Sequence, residues 1–262
     1  MTAIDAIILG ILQGLTEFLP ISSSGHIELG SALLNVQTAN NLLFSVVVHA
    51  ATCLSTVVIF RKDLLKLIKD FFQWDKDAVY YIAALIISAI PVGIIGLTYD
   101  QEIESFFSGQ LLLVGFMLLV TGLLLAMTYY APPRTGKVTL GRALLIGLSQ
   151  ALAILPGISR SGATISTALL LGIDKEKAAR FSFLMVLMPI LGGSALKLAD
   201  YLQAPEMSES ITTGVLLIGF LAAFITGLLA CKWMITIVKK GKLIYFAFYC
   251  FLIGSITILL SM

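Results

Sequence analysis

The chain has 262 residues, of which 58% are hydrophobic and only 12% are charged, and its mean hydropathy is +1.00. A water-soluble domain of this length could not keep so apolar a surface in water, so that class is excluded. The net charge of +2 indicates no particular partner, and we expect no nucleic acid to bind.

The chain begins with an apolar stretch, Thr2–Leu19, that ends in a polar turn. It lacks a basic start and a small-residue cleavage pattern and contains Asp5 and Glu17, so we predict no signal peptide. Gln13 and Glu17 are four residues apart and share one helix face. Pro20 predicts the end of that helix, and the sequence Ser-Ser-Ser-Gly-His follows over residues 22–26.

Six long and almost uncharged segments each approach the roughly 20 residues needed to cross the hydrocarbon core of a membrane. The fourth is the shortest and contains Pro189 and Gly192-Gly193, so we expect a kinked helix there. The six segments are Leu42–Phe60, Ala78–Thr98, Leu111–Tyr130, Phe181–Leu196, Ile211–Ala230 and Leu243–Met262.

The three cysteines lie in or beside these apolar segments and form no metal-binding spacing or disulfide framework. We interpret them as small buried hydrophobic residues. They are Cys53, Cys231 and Cys250.

The basic residues predict the topology. Fifteen of the 17 Lys and Arg lie in four connections, which the positive-inside rule places in the cytoplasm. The other connections are bare or acidic, with Asp100, Glu102 and Glu104 in one and Asp200, Glu206 and Glu209 in another. Residues 1–26 would then start and finish outside, and residues 140–173 would start and finish inside.

We therefore predict an all-α polytopic membrane protein with six transmembrane helices and two re-entrant helical hairpins. The chain forms one membrane domain, 1–262, built from inverted pseudo-repeats at about 1–131 and 138–262. The alternative is an amphipathic N-terminus that does not enter the membrane.

The two hairpins carry a repeated motif. Residues 10–25 read GILQGLTEFLPISSSG and residues 147–162 read GLSQALAILPGISRSG. The copies are 137 residues apart, and they differ because the first carries Glu17 and His26 and the second carries Arg160. A duplicated Gly/Ser-rich turn in an apolar chain is typical of broken helices that meet inside a membrane.

Each turn is suited to bind an anion. A helix starts after each one, so unpaired backbone N–H groups and hydroxyls face the same pocket. Arg160 adds a planar fork of donors, and it cannot snorkel as Lys197 can near the end of its helix. Ionisable groups at membrane depth cost several kcal/mol and normally serve a function. We expect Glu17, His26 and Arg160 to converge on one phosphate chain; a purely structural Glu17–Arg160 ion pair is the alternative.

His26 lies close enough to the serines for chemistry if the turn folds back. It could act as the base for a serine or attack phosphorus itself. Glu17 and Gln13 could orient the histidine, activate water or hold Mg²⁺ or Ca²⁺, which take oxygen ligands.

On these residues the chain resembles the undecaprenyl-diphosphate phosphatase family, which is also known for bacitracin resistance. The family's first signature stands here as Gln13–Glu17 with Pro20–His26, and its second as Pro156–Thr164. The resemblance implies hydrolysis of the terminal phosphate of a C55 isoprenoid diphosphate. This reaction recycles the lipid carrier for peptidoglycan and other cell-wall polysaccharides.

The resemblance also implies roles for individual residues. Glu17 is the essential acid, Ser23 and His26 are the nucleophile and its base in an order left open, and Arg160 holds the diphosphate. Gln13 is glutamate in many members, and an amide is a weaker cation ligand, which weakens a metal site at Gln13 and Glu17. The residues that line the phosphate site are Gln13, Ser22, Ser24, Gly25, Ser159, Ser161 and Thr164. We interpret His49, in the first span, as a hydrogen-bonded packing residue.

The resemblance places the protein in the bacterial cytoplasmic (inner) membrane, with its pocket open to the outer face. Gly-rich faces on several spans would allow a homodimer. A lipid-phosphate flippase or anion transporter is the serious alternative function, because inverted repeats with broken helices are typical of carriers. An intramembrane serine protease is a weaker alternative, because a peptide substrate gives no reason for Arg160.

Overall fold

The computed structural model describes residues 1–36, 42–99, 102–103, 106, 110–132, 135–203 and 211–261. Apart from an isolated β-bridge between Gly136 and Ile173, these residues form helices and short connections. The predicted all-α class is confirmed.

The first half of the chain begins with a helical hairpin and continues with longer helices. A capping box starts the first helix, since Asp5 N donates to Thr2 Oγ1 and Thr2 N donates to Asp5 Oδ2. The helices are α1 (Ala3–Thr16), α2 (Ser23–Leu34), α3 (Leu42–Ile59), α4 (Arg61–Phe72), α5 (Lys76–Thr98) and α6 (Leu111–Met127). A 3₁₀ turn, Thr128–Tyr130, extends α6.

The second half has the same order of elements. Its helices are α7 (Leu140–Leu152), α8 (Arg160–Leu170), α9 (Lys175–Met185), α10 (Leu187–Gln203), α11 (Thr213–Lys240) and α12 (Ile244–Ser261). The break between α9 and α10 falls at Val186. Pro189 has no N–H to donate to the Met185 carbonyl, which explains an interruption at this point.

Among the described residues, five segments are long and apolar enough to cross a membrane, and a sixth is obtained if the bent pair α3–α4 counts as one span. All six predicted spans coincide with helices. The main difference is α11, which continues to Lys240 instead of ending at Ala230.

The helices of the two hairpins are short. The longest of them, α1, has 14 residues, and at 1.5 Å per residue it is only about 21 Å long, against a hydrocarbon core of about 30 Å. Within each hairpin the two helices pack on each other, α1 on α2 and α7 on α8. These lengths fit hairpins that enter the membrane without crossing it.

The first helix of each hairpin packs on a long helix of the other half of the chain. Helix α1 packs on α11 of the other half, and α7 packs on α5. Glycines one repeat apart allow both contacts, since a Cβ on Gly10 would lie 2.6 Å from Gly219 O and one on Gly147 would collide with Ser88 O. This correspondence supports the proposed inverted pseudo-repeat.

Other sequence predictions have mixed outcomes. The three cysteines are buried and free, as predicted. Several residues that set the predicted topology lie outside the described residues: Asp100, Glu104, Arg134, Glu206 and Glu209. The side chains of Lys197 and Asp200 and the end of the last span, Met262, also lie outside them.

Helix α4 leaves the direction of α3 at an angle of 73°. It begins with Arg61 and Lys62, while Leu65, Ile68 and Phe72 expose their apolar side chains. A basic amphipathic helix of this kind is typical of the membrane–water interface. We therefore interpret α4 as a helix that lies on the predicted cytoplasmic surface of the bilayer.

Trp74, just after α4, tests this interpretation. The chain has two tryptophans, so a Trp233→Phe variant reports Trp74 alone. We expect lipids brominated near their headgroups to quench its fluorescence more strongly than lipids brominated near the chain ends, because an interfacial indole lies at headgroup depth. Quenching of Trp233 in the Trp74→Phe variant provides the reference. A Trp74 emission typical of bulk water and insensitive to brominated lipid would contradict an interfacial α4.

Candidate active site

The two repeated turns have the same local structure. Ser22 caps α2 and its Oγ accepts a hydrogen bond from Gly25 N at 3.2 Å, while Ser159 caps α8 and its Oγ accepts from Gly162 N at 3.0 Å. Pairs of hydroxyls two residues apart are also 3.2 Å apart in both turns, Ser22–Ser24 and Ser159–Ser161. The sequence repeat is therefore also a structural repeat, with two helix N-termini of the kind that bind anions.

The second turn is fixed by α6. Thr121 Oγ1 donates to Gly157 O at 2.9 Å and accepts from Ser159 N at 3.0 Å. Gly157 has φ 99°, in the left-handed region that favours glycine. A Cβ at this position would lie 2.6 Å from Val114 O. Sequence reasoning missed Thr121, although a hydroxyl inside a span was a signal that could have indicated it.

The two turns touch each other. Ser161 Oγ donates to Leu19 O at 3.2 Å. A Cβ on Gly25 would lie 3.1 Å from Gly157 Cα, so the backbones themselves approach closely. The predicted convergence of the two hairpins is present in the structure.

The Glu17 carboxylate joins the two turns. Ser23 Oγ donates to Glu17 Oε2 at 2.6 Å, and Arg160 Nη2 donates to Glu17 Oε1 at 2.8 Å. Ser23 and Arg160 occupy the same position in the two copies, Ser-Ser-Ser-Gly and Ser-Arg-Ser-Gly. Gln13 Nε2 adds a third hydrogen bond, to Oε2 at 3.0 Å. One carboxylate thus receives equivalent side chains from both hairpins.

This ion pair is largely removed from solvent, with 6% of the Glu17 side chain and 24% of the Arg160 side chain exposed. Loss of either partner would leave a buried charge uncompensated, which costs about 3–5 kcal/mol in typical proteins. The Glu17–Arg160 ion pair, which the sequence analysis considered as a purely structural alternative, is therefore present. However, it also includes the Ser23 hydroxyl, which a structural pair does not require.

His26 makes different contacts from those considered in the sequence analysis. Its Nδ1 lies 2.8 Å from Ser22 O and its Nε2 lies 2.9 Å from the hydroxyl of Tyr249. Ser23 instead donates to Glu17, so the structure places a carboxylate rather than the imidazole at the serine hydroxyl. Tyr249 lies in α12, and nothing in the sequence distinguished it from lipid-facing aromatic residues.

His49 lies on α3, which packs on α1. Its Nδ1 is 2.8 Å from Ser45 O, one helical turn earlier, in agreement with the hydrogen-bonded packing role.

A small cavity adjoins the Glu17–Arg160 pair. Its volume is about 10 Å³, enough for roughly one water molecule. Gln150, the repeat equivalent of Gln13, lines it and is fully buried, and neither of its amide atoms has a hydrogen-bond partner among the described residues. Thr164 also lines the cavity, and its hydroxyl donates to Arg160 O at 2.9 Å.

The residues suggested as cation ligands supply two oxygen-bearing groups. Besides the Glu17 carboxylate, Gln13 Oε1 is buried and has no partner among the described residues. Within the described ranges, no three His, Cys, Asp or Glu residues cluster as metal ligands would. A carboxylate and an amide oxygen are ligand types that Mg²⁺ accepts together with substrate phosphates. To share an ion with Glu17, the Gln13 amide would have to turn, because its Nε2 donates to Glu17 Oε2.

Comparison with known proteins agrees with the two signatures. A family model described as bacitracin resistance protein BacA matches residues 6–256. The chain belongs to this family. An undecaprenyl-diphosphatase of Christiangramia forsetii is 50% identical, with 100% of this chain and 99% of the relative covered. One from Bacteroides fragilis is 49% identical over 98% of this chain and 97% of the relative.

Similarity extends across distant members of this family. An undecaprenyl-diphosphatase of Methanobrevibacter smithii is 38% identical, and the match covers 98% of this chain and 96% of the relative. The family predicted from Gln13–His26 and Pro156–Thr164 is therefore confirmed along the whole chain.

Gly157→Ala tests how tightly the second turn is held. We expect a lower melting temperature in detergent and at least a tenfold loss of activity, because the new Cβ meets Val114 O at 2.6 Å and the φ of 99° disfavours alanine. Gly96→Ala is the matched control, since a Cβ there meets nothing within 4 Å. Equal melting temperatures and activities for the two variants would show that the turn tolerates displacement.

Proposed function

We propose that this protein is an integral membrane phosphatase that hydrolyses undecaprenyl diphosphate to undecaprenyl phosphate and inorganic phosphate. This activity recycles the lipid carrier for cell-wall polysaccharide synthesis and confers bacitracin resistance. Relatives named undecaprenyl-diphosphatase, which match almost the whole chain, support the substrate. The observation that carries the proposal is the Glu17 carboxylate, which contacts a serine of one hairpin and an arginine of the other.

The site has the groups needed to bind a diphosphate. The N-termini of α2 and α8 meet where the two turns touch, and each provides backbone N–H groups and the positive end of a helix dipole. Arg160 adds a guanidinium with donors beyond the one bound to Glu17, and guanidinium binds phosphate oxygens in pairs. Because the pocket lies among membrane helices, the lipid substrate would enter from the bilayer.

Ser23 is the proposed nucleophile and Glu17 its base. A general base must lie within hydrogen-bond reach of the proton that it takes, and Ser23 Oγ is 2.6 Å from Glu17 Oε2. Ser23 Oγ forms a bond to the terminal phosphorus, and its proton passes to Glu17. The bridging P–O bond breaks, and undecaprenyl phosphate leaves with the bonding electron pair.

Hydrolysis of the resulting phosphoserine completes the reaction. Water attacks phosphorus, the bond to Ser23 Oγ breaks, and Glu17 returns the proton to the serine oxygen. Inorganic phosphate leaves with the oxygen and both protons of the water. Arg160 stabilises the negative charge on the transferred phosphoryl oxygens in both steps. Neither hairpin alone supplies the nucleophile, the base and this charge.

A divalent cation would enter with the substrate. Glu17 and Gln13 would hold it through their oxygens together with the diphosphate, and its charge would neutralise phosphate oxygens. The steps given for Ser23, Glu17 and Arg160 do not depend on it.

A flippase or anion transporter is the second candidate function. The reciprocal packing of α1 on α11 and α7 on α5 favours it, because inverted repeats with broken helices are common in carriers. A carrier needs hydrogen-bond donors in the turns but no nucleophile at Ser23. A serine protease has less support, because Arg160 at the centre of the site has no role in peptide cleavage.

We also propose that the protein resides in the bacterial cytoplasmic membrane with its site open to the outer face. The basic connections support the predicted orientation of the helices. The outer face as the open side of the site rests on the resemblance to the family alone. The homodimer remains a prediction.

Glu17→Gln and Arg160→Lys test the catalytic assignment. We expect each to reduce phosphate release from radiolabelled C55 diphosphate at least a hundredfold, because an amide cannot accept the serine proton and an ammonium lacks the guanidinium fork. Matched controls are Glu176→Gln and Arg180→Lys, which alter exposed ion pairs outside the site.

Two results would contradict this assignment. Purified wild-type protein that binds the lipid without releasing phosphate would favour the transporter. Near-normal release by Glu17→Gln would remove the carboxylate from the role of base.

Gln13→Glu tests the cation. A second carboxylate beside Glu17 should lower the Mg²⁺ concentration needed for half-maximal phosphate release after chelation, by about tenfold, because Mg²⁺ prefers charged oxygen ligands. Gln110→Glu, at the start of α6 and outside the turns, is the control. Activity that is indifferent to chelator in wild type and variant would exclude a cation from this site.

A further inference from the structure

Tyr249 contacts His26 in the candidate site but has no part in the proposed reaction. Its hydroxyl lies 2.9 Å from His26 Nε2, and its ring stacks on the imidazole with centroids 5.6 Å apart and planes 13° apart. The two residues are 223 positions apart in the chain, so this contact depends on the fold and not on either sequence motif.

The hydrogen-bond partners determine which nitrogen of His26 carries the proton. Ser22 O, 2.8 Å from Nδ1, is a backbone carbonyl and can only accept, so Nδ1 must donate. In the neutral imidazole, Nε2 then has the lone pair. The Tyr249 hydroxyl therefore donates to Nε2, and both ring nitrogens of His26 are occupied.

Helix α12 is held against the first turn at this point. Cys250, the next residue, is fully buried, and its Sγ lies 3.8 Å from Pro20 O. Ala247 on the same helix is also buried. The Tyr249 ring is therefore presented to His26 by a packed helix, while His26 itself is 8% exposed.

We propose that Tyr249 is a positioning residue that holds His26 as the Nδ1–H tautomer and occupies the lone pair of Nε2. An imidazole in this arrangement has no free lone pair with which to attack phosphorus or to take the proton of Ser23. Ser23 and Glu17 are then the nucleophile and base, and His26 orients the first turn through Ser22 O. The expected effect of Tyr249 on the reaction rate rests on the proposed function, whereas the assignment of the His26 tautomer does not.

Nitrogen NMR tests the tautomer directly. The chain has two histidines, so ¹⁵N-histidine-labelled His49→Gln protein reports His26 alone. We expect a protonated Nδ1 and an unprotonated, hydrogen-bonded Nε2. In the Tyr249→Phe, His49→Gln protein the Nε2 resonance should move towards that of a free imidazole, with Nδ1 still protonated. A protonated Nε2 in the single variant, or an unchanged Nε2 resonance after loss of the hydroxyl, would overturn the proposal.

Chemical modification and kinetics provide a second test. In Tyr249→Phe, diethyl pyrocarbonate should modify His26 at least threefold faster, because the lone pair of Nε2 is no longer occupied. The value of kcat should fall several-fold and KM should change less than twofold, because the imidazole loses one of its two orienting hydrogen bonds. Tyr245→Phe, one turn earlier on α12 and exposed, should change none of these values.

The possible results separate the two proposals. Equal modification rates and equal kcat in Tyr249→Phe, Tyr245→Phe and wild type would overturn the role of Tyr249. Absence of phosphate release from wild type would overturn the proposed function alone, because the NMR and modification experiments need no turnover. Melting temperatures would identify any variant whose change in rate results from unfolding.

Discussion

The charge of the Glu17 carboxylate, in one hairpin, is balanced by Arg160, in the other. A carboxylate at this depth is costly unless charge and hydrogen bonds compensate it. Ser23 and Gln13 supply two of those hydrogen bonds from its own hairpin. The pair therefore couples the two halves, because a displaced hairpin would leave a buried charge without its partner. The rest of the fold can be understood as the support that this contact requires.

That support consists of close helix contacts and fixed turns. Gly10 and Gly147 let the first helix of each hairpin approach a helix of the opposite half. Thr121 holds the second turn from α6, and α12 holds the first through Cys250 and Tyr249. The two helix N-termini are thereby aimed at one place, where the turns touch and where a diphosphate would find donors from both sides. Precise placement of this kind is what catalysis by positioned groups needs.

Much of this arrangement could be predicted from the sequence. The spans could be predicted because a membrane-crossing helix needs a long apolar segment. The two turns could be predicted because their sequence motif is repeated. The meeting of Glu17 and Arg160 followed from the high cost of isolated charges in lipid. The partners of Ser23 and His26 could not be predicted, because one turn brings several acceptors within reach and rotamers decide among them. Tyr249 could not be recognised because an aromatic residue in a span has the same sequence signature whether it faces lipid or a histidine. The separate helix α4 could not be recognised because no proline or glycine in the sequence marks the bend that follows the apolar segment of α3.

The phosphoenzyme is the most direct test of the central claim that Glu17 activates Ser23 against a phosphate held by Arg160. Protein mixed with undecaprenyl diphosphate labelled on the terminal phosphate would be quenched within milliseconds and digested for mass spectrometry. The account predicts an acid-stable phosphate on Ser23, absent when Glu17 is replaced by Gln. An acid-labile phosphate on His26, formed equally well without the Glu17 carboxylate, would contradict it.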